Sequence, residues 1–177
     1  MRAKKTSRRM SILNDLLEVL MSKDIFETIH YHNRNESYIK QYLYQPLQRK
    51  ISKMFEEYLC LKPSTANKRA RTALRWEGDK KTTVNNFLFF GTQHRPDFDL
   101  FIDDLKIAIE IKRGESGTAI REGVGQSLVY TTHYDFCVYI FIDTSKDKKI
   151  VNAFTSDKEE EFVRLLWENN NVIFRVV

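Results

Sequence analysis

Asp97, Asp99, Glu110 and Lys112 stand inside one short stretch, RPDFDLFIDDLKIAIEIKRG, whose other residues are mostly apolar and alternate as strands do. Strand interiors normally avoid Asp, Glu and Lys. A turn near Asp103–Asp104 folds the stretch into a hairpin, because period-two alternation flanks a short acidic turn. A two-residue turn sets Glu110 across from Asp97, and a slightly longer one sets it across from Asp99. Residues two apart on a strand face the same way. Asp97, Asp99 and Phe101 therefore share one face, with Ala108, Glu110 and Lys112 beside them on the next strand. Leu100, Ile102, Ile107, Ile109 and Ile111 take the opposite, core face. Converging carboxylates repel unless a positive charge lies between them. Lys112 brings one such charge, and a divalent cation would bring two. Oxygen ligands suit Mg²⁺ or Mn²⁺, and a water on such a cation is more acidic than bulk water. A lysine beside that water could orient it or stabilise charge on a phosphate oxygen, which is what phosphodiester hydrolysis requires.

The surrounding chain must position these groups. Ile12, Leu13, Leu16, Leu17 and Leu20 recur at helical spacing. A second helix starts near Asn35–Glu36 and runs through ESYIKQYLYQPLQRKISKMFEEYL, with Pro46 marking a break or a fresh first turn. Residues 62–83 are basic and weakly periodic, and read as loop with room for a short helix. NNFLFFG reads as a strand stopped by Gly91, ahead of the hairpin. SGTAIREGVGQSLVYTTHY reads as a helix with Ile120, Val124 and Leu128 on one stripe. DFCVYIFID is apolar on both faces, as an interior strand is. KIVNAF reads as a short strand. Ser156 and Glu159 form a capping box that opens a helix, and NVIFRVV closes the chain as a strand. The expected organisation is a basic tail and amphipathic helix over residues 1–34, then one α/β unit over 35–177.

Composition sets wide bounds. The 177 residues are 42% hydrophobic and 30% charged, with a net charge of +5, as in an ordinary globular protein. Basic residues crowd the first nine positions and the stretch from Lys62 to Lys81, which suits a polyanionic partner as well as a solvated surface. Cys60 and Cys137, each among apolar residues, read as buried thiols of a reducing, cytoplasmic protein. No spacing suggests zinc, and no apolar run reaches membrane-spanning length. His94, His133 and Trp167 read as ordinary structural residues. Trp76, near Arg71 and Arg75, is a weaker candidate for stacking on a base.

Pro96–Asp97 followed by Glu110–Ile111–Lys112 resembles the signature of the PD-(D/E)XK nuclease superfamily, which has the restriction-endonuclease-like fold. Gln126 and Tyr130, spaced Q-x-x-x-Y in the following helix, resemble the element that abuts the metal site in several of its branches. The whole pattern looks most like the nuclease domain of type I restriction motor subunits. The resemblance implies an α/β core ordered helix, strand, strand, strand, helix, strand, with a mixed sheet flanked by helices and an N-terminal helical extension. It implies an Mg²⁺-dependent nuclease, with Mn²⁺ able to substitute. Asp97, Glu110 and the main-chain carbonyl of Ile111 would hold the metal. Lys112 would assist the attacking water, and Gln126 and Tyr130 would position it or a phosphate. Asp99 is a candidate further ligand. Glu36 would be the distal acid of the site, with Glu56 and Glu57 as competitors. DNA is the expected partner, met by Arg69, Arg71, Arg75, Lys80, Lys81 and Arg113. A helicase or methyltransferase subunit and a second copy of the chain are further candidate partners, and a membrane is not. A catalytically silent nucleic-acid-binding module, an RNA-directed nuclease and a partner-dependent subunit are the rival readings.

Overall fold

The hairpin takes the tighter of the two registers. In the computed structural model, which describes residues 5–21, 34–80 and 83–177, strand β4 (Phe98–Ile102) pairs antiparallel with β5 (Leu105–Gly114) from Phe98↔Ile109 to Ile102↔Leu105. Only Asp103 and Asp104 are left to turn. Asp103 adopts a left-handed φ of 53°, which Asp tolerates better than most residues. Arg8 and Arg69 both clamp its carboxylate, at 2.7 Å each. One step past Phe98↔Ile109, the register places Asp97 opposite Glu110.

Five strands form the main sheet in the order β1-β4-β5-β6-β7, where β1 is Leu74–Trp76, β6 is Phe136–Asp143 and β7 is Val172–Val176. β1 and β5 run antiparallel to β4, while β6 and β7 run parallel to β5. This mixed, helix-flanked α/β sheet is compatible with a restriction-endonuclease-like fold. The first strand is not the expected one. NNFLFFG gives β2 (Phe87–Phe89), which pairs only with β3 (Thr92–His94) in a separate two-stranded hairpin. Leu74–Trp76 takes its place beside β4.

Both faces of the sheet are covered. Phe98, Leu100, Ile107, Ile109 and Ile111 pack with helix α1 (Ser7–Leu20), helix α2 (Glu36–Leu59) and helix α3 (Pro63–Ala73). The other face carries Ala108, Cys137, Tyr139 and Phe174 under helix α4 (Gly117–Tyr130), with Leu166 from helix α6 (Asp157–Asn170). The short helix α5 (Lys149–Ala153) lies between β6 and α6.

Several local expectations change for physical reasons. α2 runs unbroken through Pro46, because Ile39, Leu43, Leu47, Ile51 and Phe55 make a buried stripe at i,i+4 spacing that keeps the helix continuous past the lost hydrogen bond. The basic stretch after Lys62 is a full helix. Pro63 starts it, and its core face is Ala66, Ala70 and Ala73, too small to register as periodicity. KIVNAF is helical rather than extended, because the Asp143 carboxylate accepts from the N–H groups of Ile150 and Val151 at 3.0 and 3.1 Å and fixes a helical turn. Ser156 does sit at the N-cap of α6, but its side chain makes no capping bond. Cys137 is buried, whereas Cys60 is exposed at the left-handed C-cap of α2. Trp76 packs between Tyr44 and Phe98 instead of facing a ligand. Among the described residues, no helix is long and apolar enough to cross a membrane.

α4 approaches the sheet through a face other than the predicted one. Gly123, Ser127 and Tyr130 are its buried residues, while Ile120, Val124 and Leu128 pack at its flanks. A Cβ on Gly123 would lie 2.2 Å from the Tyr139 ring, and that ring is itself stacked on Phe174 at 4.9 Å. Gly123→Ala should therefore lower stability by about 1–3 kcal/mol through overpacking. Gly125, with open space around it, should gain up to about 1 kcal/mol as Ala from helix propensity. Denaturant unfolding of the two variants checks the pair. Equal gains from both substitutions would show that α4 does not sit this close.

Candidate active site

The end of the hairpin away from the Asp103–Asp104 turn gathers three carboxylates and two ammonium groups. Asp97 and Glu110 are buried at 3% and 2% exposure. Asp97 accepts the Ile111 N–H at 2.7 Å and pairs with Lys40. Lys40 also reaches Glu36 at 2.6 Å, one helical turn away. Lys112 pairs with Glu110 at 3.0 Å. The first turn of α2 thus delivers Glu36 and Lys40 to the open end of the hairpin, and α4 covers the sheet face beside it. Glu56 and Glu57 lie about 30 Å further along α2 by helical rise. Of the three acids, Glu36 is the one that the fold brings to this cluster.

Burial dominates the electrostatics. It pushes the Asp97 carboxyl up to about 7, and the neighbouring Glu110 charge pushes the same way against Lys40 and the Ile111 N–H. Burial also raises Glu110, against the pull of the Lys112 and Lys40 ammonium groups. Desolvation opposes the charge on Lys112, but Glu110 outweighs it and keeps the ammonium protonated. The same balance holds for Lys40, where Asp97 outweighs burial.

Among the described residues, two buried side-chain oxygens have no hydrogen-bond partner: Glu110 Oε2 and Gln126 Oε1. A buried acceptor without a donor is costly, and oxygens in that condition suit a cation. The Ile111 carbonyl is the third candidate donor. A strand residue sends its N–H and C=O to the same neighbour, and the Ile111 N–H points at Asp97. Among the described residues, no three His, Cys, Asp or Glu side chains form a ready metal cage. The donor set that fits a hard divalent ion is the Asp97 and Glu110 carboxylates with the Ile111 carbonyl.

The other predicted residues divide sharply. Tyr130 is buried against Glu110, but its hydroxyl donates to the Arg95 carbonyl at 2.8 Å. It holds the chain entering Asp97 and is not free to meet a phosphate. Gln126 lies one turn earlier on the same side of α4. Asp99 is not an open ligand. Its carboxylate takes Arg75 Nε and Nη2 at 2.7 and 2.9 Å, with the Tyr134 hydroxyl and the Asn85 N–H at 3.2 Å each. Four donors hold this carboxylate, three of them on Oδ2. Arg75 is accordingly a structural partner, lying also over Phe101 at 4.3 Å. Arg69 is occupied at the far turn by Asp103 and Phe55, roughly 20 Å along the strand from Asp97. Arg71 and Lys80 are exposed, Arg113 is half-buried on β5, and Lys81 lies outside the described residues. Sequence reasoning missed Lys40. Its one signal is the i,i+4 spacing from Glu36, which also describes any surface pair on a helix.

No protein-family model matches the chain, and neither does any curated protein. Among solved structures, the chain is similar to a "Restriction endonuclease PspGI-substrate DNA complex" at 13% identity, over 91% of this chain and 87% of that one, with a TM-score of 0.29. A superposition that loose carries no weight for fold or function.

Two predictions arise from this geometry. Arg75→Ala leaves Asp99 buried and unpaired. It should cost about 3 kcal/mol, the low end for breaking a buried pair because the guanidinium is partly exposed, and urea unfolding measures it. An unchanged midpoint would mean that Arg75 is free for another role. Asp97 holds its proton more tightly folded than unfolded, so metal-free protein binds more protons when native between about pH 4 and 7. Its thermal midpoint should fall as pH rises from about 4 to about 7 and level off above that. Mg²⁺ should restore stability mainly above that pH, where Asp97 is ionised. Melting curves in EDTA and in Mg²⁺ give the comparison, and an EDTA profile flat with pH would contradict it.

Proposed function

We propose that the protein is a metal-dependent nuclease that hydrolyses DNA phosphodiester bonds, with its active site at the open end of the β4–β5 hairpin. The observation that carries the reading is the buried Asp97–Glu110 pair with Lys112 on the same strand, together with the unpartnered Glu110 Oε2. The order of α2, β1, β4, β5, α4 and β6 supports it, because the PD-(D/E)XK resemblance implies that succession of elements.

Asp97, Glu110 and the Ile111 carbonyl would hold Mg²⁺. When bound, the ion would supply a Lewis acid for a phosphate oxygen and a water more acidic than bulk. The chain's own groups do the rest. The Ile111 N–H and the Tyr130–Arg95 bond fix Asp97 and the backbone that leads into it. Glu110 holds Lys112 protonated beside the reacting position. From there its ammonium can orient a water or stabilise charge on a phosphate oxygen. Lys40 keeps Asp97 and Glu36 together and offsets part of their charge. Exposed Arg71 and Lys80 suit contacts to the phosphate backbone, which give salt-sensitive and largely sequence-independent affinity.

The test is cleavage of circular and linear DNA, with RNA in parallel, in Mg²⁺, Mn²⁺ and EDTA. Metal-dependent cutting of DNA is expected. Lys112→Ala should lower the rate by about 10²–10³-fold or more, as losing one transition-state donor does, while far-UV circular dichroism and DNA binding stay unchanged. Cutting that survives Lys112→Ala would move the site elsewhere. Binding without cutting in any metal would favour a silent module, and cutting of RNA alone would change the substrate.

A further inference from the structure

The β2–β3 hairpin presents its most apolar residues to solvent. Its turn is Phe90–Gly91, between the paired Phe89 and Thr92. Phe90 is 93% exposed and Leu88 67%. Both turn residues have positive φ, 48° at Phe90 and 76° at Gly91, the pattern of a tight two-residue turn that favours Asn, Asp or Gly at its first position. An aromatic residue there is disfavoured twice, by its left-handed backbone and by its exposure to water. Among the described residues, the ring that Phe90 meets is that of Phe89, edge-on at 4.7 Å, and its exposure leaves most of the side chain unpacked. Residues that break local rules at a loop tip mark function.

The rest of the hairpin is built to hold that tip still. Phe87 stacks on His133 at 4.0 Å, meets Tyr130 edge-on at 6.0 Å and lies against His94 at 6.1 Å. Tyr130 and His133 belong to α4 and the turn just after it, so the hairpin base is anchored on the element that covers the candidate active site. β3 then runs through Arg95 and Pro96 straight into Asp97. At most about 25 Å of chain separates Phe90 from Asp97, about seven nucleotide steps of a duplex. The sequence from Lys80 to Pro96 contains Lys80, Lys81 and Arg95 and no acidic residue, with Arg95 paired to Glu77 just ahead of it. A ligand that is anionic outside and offers flat apolar surfaces inside matches both properties, and nucleic acid is such a ligand.

We infer that the β2–β3 hairpin is a wedge: Phe90, backed by Leu88, inserts at a base step of the DNA held in the adjacent site and stacks on an unstacked base. Apolar wedges of this kind act by partly unstacking a step. This rests on the nucleic-acid reading of the site, and it adds a contact to the bases where that reading assigns contacts only to phosphate.

The test uses Lys112→Ala protein in Mg²⁺, so that DNA is bound and not consumed, with duplexes carrying 2-aminopurine at successive positions and a matched set containing a single-base bulge. Binding should raise 2-aminopurine fluorescence at one or two adjacent positions, and the bulged duplex should bind more tightly. Adding Phe90→Ala should abolish the fluorescence change and weaken binding about tenfold, as losing one stacked base does. Phe90→Asn should do the same while melting at a higher temperature, because Asn accepts the left-handed turn. That combination separates a wedge from a structural role. Lys112→Ala protein that binds DNA with unchanged affinity and fluorescence after Phe90→Ala would overturn the wedge and leave the nuclease reading standing. The same result with self-association lost would make the tip a protein contact instead. A chain that binds no DNA at all would overturn both.

Discussion

Two carboxylates buried side by side are the constraint around which the rest of the chain is arranged. Asp97 and Glu110 face each other only because Asp103 and Asp104 alone make the turn; one more residue there would move every side chain on β4 to the other face. Burial raises the cost of charge on both acids, and their mutual repulsion adds to it. The fold answers with one ammonium from the same strand, Lys112, and one from a helix more than fifty residues earlier in the chain, Lys40. α2 must keep its course through Pro46 while its first turn reaches the hairpin end. α4 must lie low enough on the sheet for Tyr130 to reach the Arg95 carbonyl, which is why residue 123 has no side chain.

Asp97 and Asp99 show what distinguishes a structural acid from a candidate ligand. They sit two residues apart, face the same way and are equally hidden from solvent. Asp99 is closed by a two-pronged guanidinium, a phenol and a backbone amide. Holding four donors, it ties β1, β4 and the turn after α4 together. Asp97 has one backbone donor and one ammonium, and its neighbour Glu110 keeps an oxygen with no donor. Residue type and spacing could not separate the two acids, because Arg75 and Tyr134 meet only in the folded chain. Hydrogen-bond saturation separates them at once.

What could be read from the sequence follows from how local each signal is. The alternation of β4 and β5 and the unbroken apolar run of β6 specify strands from within. So do the large residues at 39, 43, 47, 51 and 55 for α2. α3 was hidden because its core face is alanine, and β1 because three residues carry no period. α5 was misread because its helical turn is set by Asp143, seven residues upstream. The hairpin β2–β3 was misplaced for the opposite reason: FLFF is as apolar as any core strand, so composition sends it inward. Asp97, Glu110 and Lys112 are legible as a cluster, while Glu36 is one of three acids between which the sequence does not choose. Lys40 is not legible, since its partner Asp97 is a tertiary neighbour.

The misplacement of FLFF and the oddity of DFD and EIK have one cause. Between Phe87 and Lys112 the chain exposes what a sheet ordinarily buries and buries what a surface ordinarily shows. Each inversion taken alone is a modest loss of stability, tolerable in a domain with a two-sided core. Sequences that fold well keep local preference and tertiary environment in agreement, and departures gather where something other than folding selects the residue. Here an exposed aromatic in a left-handed turn, a buried acid pair with one ammonium on each member, and two buried oxygens that accept no hydrogen bond from the described residues lie within or directly against one contiguous stretch, and the aromatic anchor of its hairpin rests on the helix that covers the acids. Phe90 stands on the β2–β3 hairpin and the acids at the end of the main sheet, and only the few residues from Thr92 to Pro96 join them. That is the arrangement expected if a single ligand, charged along its backbone and aromatic within, meets both.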